Sequence, residues 1–166
     1  MNSQFEIREI QSDEYPFLHD MLREAIFFPD LSKKEEKLAE LESVLDHYFD
    51  SFGERSGDIA FVLVTESGLS GAVWVRVYTD LNRSYGFVDG KTPELGIAIK
   101  DEWRNRGLGE QMINALLEKL SDESFDQVSL SVDKRNRAKA LYERMGFCIF
   151  SETENSCTMV KTIRTP

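Results

Sequence analysis

From Pro93 onward three local patterns follow one another without a gap: a short apolar run (PELGIAIK, 93–100), a turn rich in glycine and arginine (RNRGLG, 104–109) and an amphipathic stretch ending near Leu120. The first reads as a strand and the last as a helix. QVSLSV (127–132) is a second strand. A strand-helix-strand unit of this length places its two strands parallel in one sheet, with a right-handed crossover between them. The turn itself is unusual. Most helices begin with a Ser, Thr, Asp or Asn cap, but this one begins with Arg104, Arg106, Gly107 and Gly109. Unpaired N–H groups and the helix dipole both favour an anion there, although glycines also occur in ordinary loops.

The remaining patterns extend this unit into a larger sheet. FEIREI (5–10) alternates apolar and polar residues as a strand does. Ser12 and Asp13 can cap a helix carrying Phe17, Leu18, Met21, Leu22 and Ile26, which Pro29 ends. After Ser32 a second helix carries Leu38, Leu41, Val44, Leu45 and Tyr48. DIAFVLVTE and SGAVWVRVY, joined by Ser67 and Gly68, form an antiparallel hairpin. A basic helix runs from Asn136 to Met145, with Gly146 as its stop. FCIFSE and SCTMVKTI close the chain as a hairpin around Glu154 and Asn155. The order β-α-α-β-β-β-α-β-α-β-β defines an α+β domain, with a mixed, mostly antiparallel sheet and helices on both faces.

A length of 166 residues fits one domain, taken as 1–166. The apolar fraction of 41% and charged fraction of 30% are those of a soluble protein. No stretch is long and apolar enough to span a membrane, and MNSQFEIREI lacks the apolar core of a signal peptide, so a cytoplasmic location is expected. A net charge of -10 argues against nucleic acid as a partner and is compatible with a cationic substrate. Against that background DKRNRAKALYER (133–144) is a second basic patch. Cys148 and Cys157 show no metal spacing and are expected as reduced thiols; no metal is implied.

The turn matches neither a dinucleotide fingerprint, which needs a third glycine where Met112 stands, nor a P-loop, which needs Gly-Lys-Ser or Gly-Lys-Thr. Arg-Asn-Arg-Gly-Leu-Gly between strand and helix instead resembles the acyl-CoA pyrophosphate loop of the GCN5-related N-acetyltransferases (GNAT). NRAKALYERMGF (136–147) is similar to a later motif of that family, with its Asn, Leu-Tyr pair and Gly-Phe. Both motifs stand in the expected order and structural context. GFVDGKTPELGIAI (86–99) is also similar to a bacterial branch of the family.

The resemblance implies acetyl-CoA as cosubstrate, with N–H groups of Asn105, Arg106, Gly107, Leu108 and Gly109 around the pyrophosphate. Arg104 and Arg106 would add charge to that cradle or, alternatively, be solvated surface arginines. The strand before the loop would pair with the pantetheine arm through main-chain atoms of Ile97, Ala98 and Ile99, where the strands at 93–100 and 127–132 splay apart. Asn136 would contact the cofactor, cap its helix, or both; in many relatives the Asn stands one residue earlier, where this chain has Arg135. Lys134, Arg135, Arg137 and Lys139 are read as a solvated face, with phosphate contact the alternative.

For chemistry, the resemblance implies Tyr142 as the acid that meets the departing thiolate. A phenol of ordinary pKa about 10 carries its proton at neutral pH; its helical face, shared with Ala138, Leu141 and Met145, also suits a core residue. Glu94 is the candidate base, since an alkylammonium must lose a proton before it attacks; a solvent-facing carboxylate at a strand end is the alternative. The implied activity is N-acetylation of a small-molecule or peptide amine by direct transfer. A non-catalytic acyl-CoA sensor or partner-binding module on the same fold is the rival. A homodimer is left open, as is the lining of the acceptor pocket, for which Tyr78, Tyr85 and Asp89 are candidates.

Overall fold

The computed structural model describes residues 4–164. In chain order its elements are β1 (Phe5–Glu9), α1 (Pro16–Ala25), α2 (Lys34–Leu45), β2 (Ile59–Thr65), β3 (Gly68–Arg76), β4 (Glu94–Ile99), α3 (Leu108–Asp122), β5 (Gln127–Asp133), α4 (Ala138–Arg144), β6 (Cys148–Glu152) and β7 (Ser156–Thr162). The order is the one read from the sequence. The strands form a single sheet in the order β1-β2-β3-β4-β5-β7-β6. Every neighbouring pair is antiparallel except β4 and β5, which run parallel. The fold is therefore α+β, as expected.

Alternation along the strands divides the core between the two faces of the sheet. On one face Leu63, Val73 and Leu95 pack with Met112, Ile113 and Leu116 of α3. On the other, Val62, Ala72 and Trp74 pack with Leu18, Met21 and Leu22 of α1. Each Val, Leu, Ile or Met among them, once buried, contributes roughly 1.5–3 kcal/mol through apolar burial.

Several boundaries differ from the sequence reading for physical reasons. Pro16 opens α1, where its missing N–H has no helical partner to lose. The helix ends at Ala25, one residue early, because Ile26 is extended (ψ 124°) and turns its side chain toward a cavity. The approach to α2 is a 3-10 turn, Leu31–Lys33, whose cap is Asp30 accepting from the Ser32 N–H at 3.0 Å. Of the apolar residues expected on α2, Val44 is 42% exposed and outside the core. The β2–β3 turn is Glu66–Ser67, with Gly68 (φ +92°) already paired to Thr65. α4 begins at Ala138 rather than Asn136, because the Asn136 side chain takes the Ala138 N–H.

One interaction was not anticipated from the sequence. Arg76, at the end of β3, is fully buried. Its Nε and Nη2 donate to the two oxygens of Asp58 at 2.8 and 2.9 Å. Its Nη1 donates to Asp50 at 3.0 Å and to the His47 carbonyl at 3.2 Å. This network fastens the loop between α2 and β2 to the sheet. With it comes the 3-10 turn Asp46–Tyr48, which sets Tyr48 inward.

Candidate active site

β4 and β5 share one register pair, Glu94 opposite Ser129, with the Ser129 N–H donating to the Pro93 carbonyl at 3.0 Å. Beyond that pair the strands part. The Lys100 N–H bonds to Ser70 on the β3 side. Backbone groups alternate in direction along a strand, so Leu95, Ile97 and Ile99 turn their N–H and C=O groups toward the gap. Ala98 turns its main chain toward Ala72 of β3 instead. The expected splay is thus present, and the groups it exposes are the N–H and C=O of Ile97 and the N–H of Ile99, whose carbonyl accepts from Arg104.

A cavity of about 340 Å³ opens at the parting, with Glu94 and Gly96 on one side and Ser131 and Val132 on the other. It lies within the usual range for small-molecule sites. Trp74, Tyr48, Tyr78 and Tyr85 supply aromatic walls, and residues at the end of α1 close it. Gly96 is required here: a Cβ would fall 2.5 Å from the Trp74 ring. The loop between β3 and β4 bends over the carboxyl group of Glu94. The Gly86 backbone packs against that carboxyl, where a Cβ would fall 3.0 Å from its carbon, and the Gly86 carbonyl accepts from Ser129 Oγ at 2.8 Å.

Glu94 is 9% exposed, so it does not face solvent at a strand end. Its Oε2 is buried and has no hydrogen-bond partner among the described residues. Burial penalises the charged form, and the Gly86 N–H only partly offsets this, so the carboxyl is pushed up to about 8. A neutral acid near pH 7 that ionises slightly above it suits proton transfer.

At the other end of β4 the glycine-arginine turn leads into α3. Asn105 (φ +59°) and Gly107 (φ +73°) are both left-handed. No side chain caps α3 at Gly107, so no capping group occupies its leading N–H groups. The space where a Gly107 Cβ would stand holds nothing within 4 Å. Gly109 has no internal need to be glycine, since a Cβ there would meet only ordinary contacts of 3.6–3.9 Å with Leu141, Ile99 and Ile97. Glycine inside a helix costs about 1 kcal/mol relative to alanine. An open turn at Gly107 with free donors behind it fits a phosphate group approaching the backbone.

The two arginines differ in commitment. Arg104 donates from Nε to the Ile99 carbonyl at 2.7 Å and pairs with Asp101 at 2.6 Å and Glu24 at 3.7 Å. Arg106 donates to the Glu102 carbonyl at 2.8 Å and lies over the Trp103 ring at 4.7 Å, with no carboxylate partner among the described residues. Arg106 is the better placed to meet an anion. On the second basic patch, Lys134, Arg135 and Lys139 pair with Glu152, Asp133 and Glu143.

Asn136 lines the cavity while its Oδ1 accepts from the Ala138 N–H at 2.9 Å, so the side chain caps α4 at the cavity wall. Tyr142 stands apart from the cavity. It is 8% exposed, packs edge-on to Phe147 at 5.8 Å and belongs to the core on the α3 face, whereas Glu94 points to the opposite face. Burial raises its pKa to about 12. Tyr85 lines the cavity and Tyr78 its floor, but Asp89 instead accepts from the Lys91 and Thr92 N–H groups at 2.8 Å in a loop turn. The aromatic walls at Tyr48 and Trp74 were not singled out as site residues. Their only signal was an aromatic content on α2 and β3 that core packing accounts for equally well.

The parallel pair β4–β5 parts beside an uncapped helix N-terminus, and the sequence comparison assigns the chain that carries this arrangement to a known family. The model of the "Acetyltransferase (GNAT) family" matches residues 5–147, and the chain belongs to that family. Among solved structures, a GNAT-family acetyltransferase from Streptococcus pneumoniae is similar at 20% identity, over 97% of this chain and 100% of that one, with a TM-score of 0.66. The ribosomal-protein-S18-alanine N-acetyltransferase of Escherichia coli is similar at 18% identity, over 98% and 96%, with a TM-score of 0.64. The PaiA N-acetyltransferase of Thermoplasma acidophilum, solved in complex with coenzyme A, is similar at 15% identity, over 96% and 99%, with a TM-score of 0.64. No curated protein matches the chain. No group of residues suited to hold a metal ion occurs among the described residues, and no helix among them is long and apolar enough to cross a membrane.

Proposed function

We propose that the protein moves an acetyl group from acetyl-CoA to a primary amine, directly, with both substrates bound at once. The observation that carries the reading is the parting of β4 and β5 just beyond a buried carboxyl group, with a free helix N-terminus at the open end. The N–H groups from Asn105 to Gly109 hold the pyrophosphate, and Arg106 adds charge. Exposed main-chain groups of Ile97 and Ile99 hold the pantetheine arm, and an N–H there polarises the thioester carbonyl. Asn136 contacts the cofactor at the mouth of α4.

Glu94, once ionised, takes a proton from the bound ammonium. The amine nitrogen then bonds to the acetyl carbon, and the tetrahedral intermediate expels the sulfur as the carbon–sulfur bond breaks. Tyr142 gives its proton to that sulfur, and the second nitrogen proton passes to solvent, from which the phenolate is reprotonated. Glu94 and Tyr142 point to opposite faces, so a substrate lying in the gap between β4 and β5 is what meets both. Neither cysteine lines the cavity, which agrees with transfer that needs no acyl-enzyme.

Initial rates measured while both substrates are varied test this reading. Intersecting reciprocal plots are expected. Parallel plots would overturn direct transfer, and acetyl-CoA binding without turnover of any amine would favour the sensor module.

A further inference from the structure

The cavity beside Glu94 discriminates among amines by what its walls contain. One acceptor is unsatisfied, the buried Oε2 of Glu94. Around it stand aromatic faces: the Tyr48 and Tyr78 rings are 5.4 Å apart and edge-on, and Tyr85 stacks on Tyr48 at 6.4 Å. The Tyr48 hydroxyl is already engaged, accepting from the Tyr85 N–H at 3.1 Å. Leu22, Ile26, Phe27 and Trp74 complete an apolar enclosure.

The charges are equally selective. No Lys, Arg or His lines the cavity. His47 packs behind the Tyr48 ring at 4.5 Å, outside the lining, and Arg135 lies over the Phe27 ring at 6.0 Å, where its backbone N–H, Nε and Nη2 donate to Asp133 at 2.9, 3.0 and 2.8 Å. Asp133, the second acid at the wall, is therefore occupied as well. An α-amino acid would bring its carboxylate beside Glu94 with no cation to meet it. A polyamine would bring a second ammonium with no free acid to receive it. Leaving such a charge unpaired in an apolar site is costly. An ammonium on an apolar body, by contrast, meets one carboxyl and several aromatic faces, which attract cations.

We infer that the acceptor is a small primary amine with an aliphatic or aromatic body, one cationic head and no acid group beside it. The inference rests on the acetyltransferase reading only in calling this ligand an acceptor; the selectivity follows from the cavity itself. The cavity of about 340 Å³ has room for a body the size of a phenyl ring or short alkyl chain together with an acetyl group.

Calorimetric titration of the protein, with and without CoA, compares 2-phenylethylamine with three probes: phenylalanine, 2-phenylethanol and spermidine. Phenylalanine adds a carboxylate, 2-phenylethanol replaces the ammonium with a hydroxyl, and spermidine adds cations. The expected result is that 2-phenylethylamine binds at least about tenfold more tightly than each of the others, which is about 1.4 kcal/mol. Glu94→Gln should erase its advantage over 2-phenylethanol. Equal or tighter binding of phenylalanine or spermidine would overturn the inference, as would no binding of 2-phenylethylamine. The same mixtures with acetyl-CoA, read by thiol release, separate the two readings. Selective binding of 2-phenylethylamine without thiol release leaves the selectivity standing and removes acetyl transfer. Faster release with spermidine or phenylalanine keeps acetyl transfer and removes the selectivity.

Discussion

Gly86 and Glu94 form a contact that no neighbouring-residue pattern encodes: the Gly86 backbone reaches over from the β3–β4 loop, and its N–H favours the charged form of the buried carboxyl. A Gly86 Cβ would stand 3.0 Å from that carboxyl carbon and 2.8 Å from the backbone of Leu130, so the loop approaches this closely only through glycine. The contact holds Glu94 at the apex of the gap between β4 and β5.

The first prediction concerns pH. With its carboxyl pushed up to about 8, Glu94 is protonated in the free protein at pH 7 and ionised above that value. If the ionised form takes the ammonium proton, kcat/KM rises with unit slope to a plateau near pH 8 and holds while the amine stays protonated, up to about pH 10. Glu94→Gln removes this limb, and kcat/KM then rises through about pH 10 with the neutral amine. A pH–rate profile of both proteins checks this; an unchanged limb near 8 in the variant would take the base role from Glu94.

Tyr142→Phe isolates the phenol. Its hydroxyl makes no hydrogen bond to the described residues, so the variant should unfold in urea within about 0.5 kcal/mol of the parent. Loss of a general acid is expected to lower kcat by about 10²-fold or more. Unchanged turnover would return Tyr142 to a packing role beside Phe147.

Arg76→Met tests the buried network. It leaves Asp58, whose side chain is fully buried, without its partner. Removing one member of a buried pair costs about 3–5 kcal/mol. Urea melts should show a loss of that order, whereas Arg55→Met, on the exposed pair with Asp50, should cost less than about 1 kcal/mol.

Gly109→Ala separates stability from binding. The added methyl meets only ordinary contacts and gains helix propensity of about 1 kcal/mol, so the melting temperature should rise. Acetyl-CoA binding should be unchanged, because the methyl points at Leu141, Ile99 and Ile97 and not into the open turn. A marked loss of binding would contradict a phosphate seated at the Gly107 turn.

The sequence made the sheet legible because alternation and apolar helical faces are local properties, and the order of elements follows from them. The glycine-arginine turn was equally plain, since strand, turn and helix are contiguous from Pro93 to Asp122. What depended on tertiary approach was less so. Glu94 reads as a strand terminus until the 79–92 loop covers it. Arg76 reads as one more residue of an apolar strand; its period-two partners Ala72 and Trp74 point inward, which is the available signal that it does too. Arg104 and Arg106 look equivalent in sequence and differ because one is near Asp101 and Glu24 and the other lies on Trp103.

The most direct measurement is a calorimetric titration of acetyl-CoA into the protein, Gly107→Ala and Gly107→Asp. The two variants share whatever strain a side chain suffers at φ +73°, and both side chains enter open space, so they differ mainly in charge. Binding by the parent, weakened binding by the alanine variant and none by the aspartate variant is the predicted result. Equal binding by all three would show that the turn before α3 does not hold the phosphates, and no binding to the parent would leave a GNAT fold without its acetyl donor.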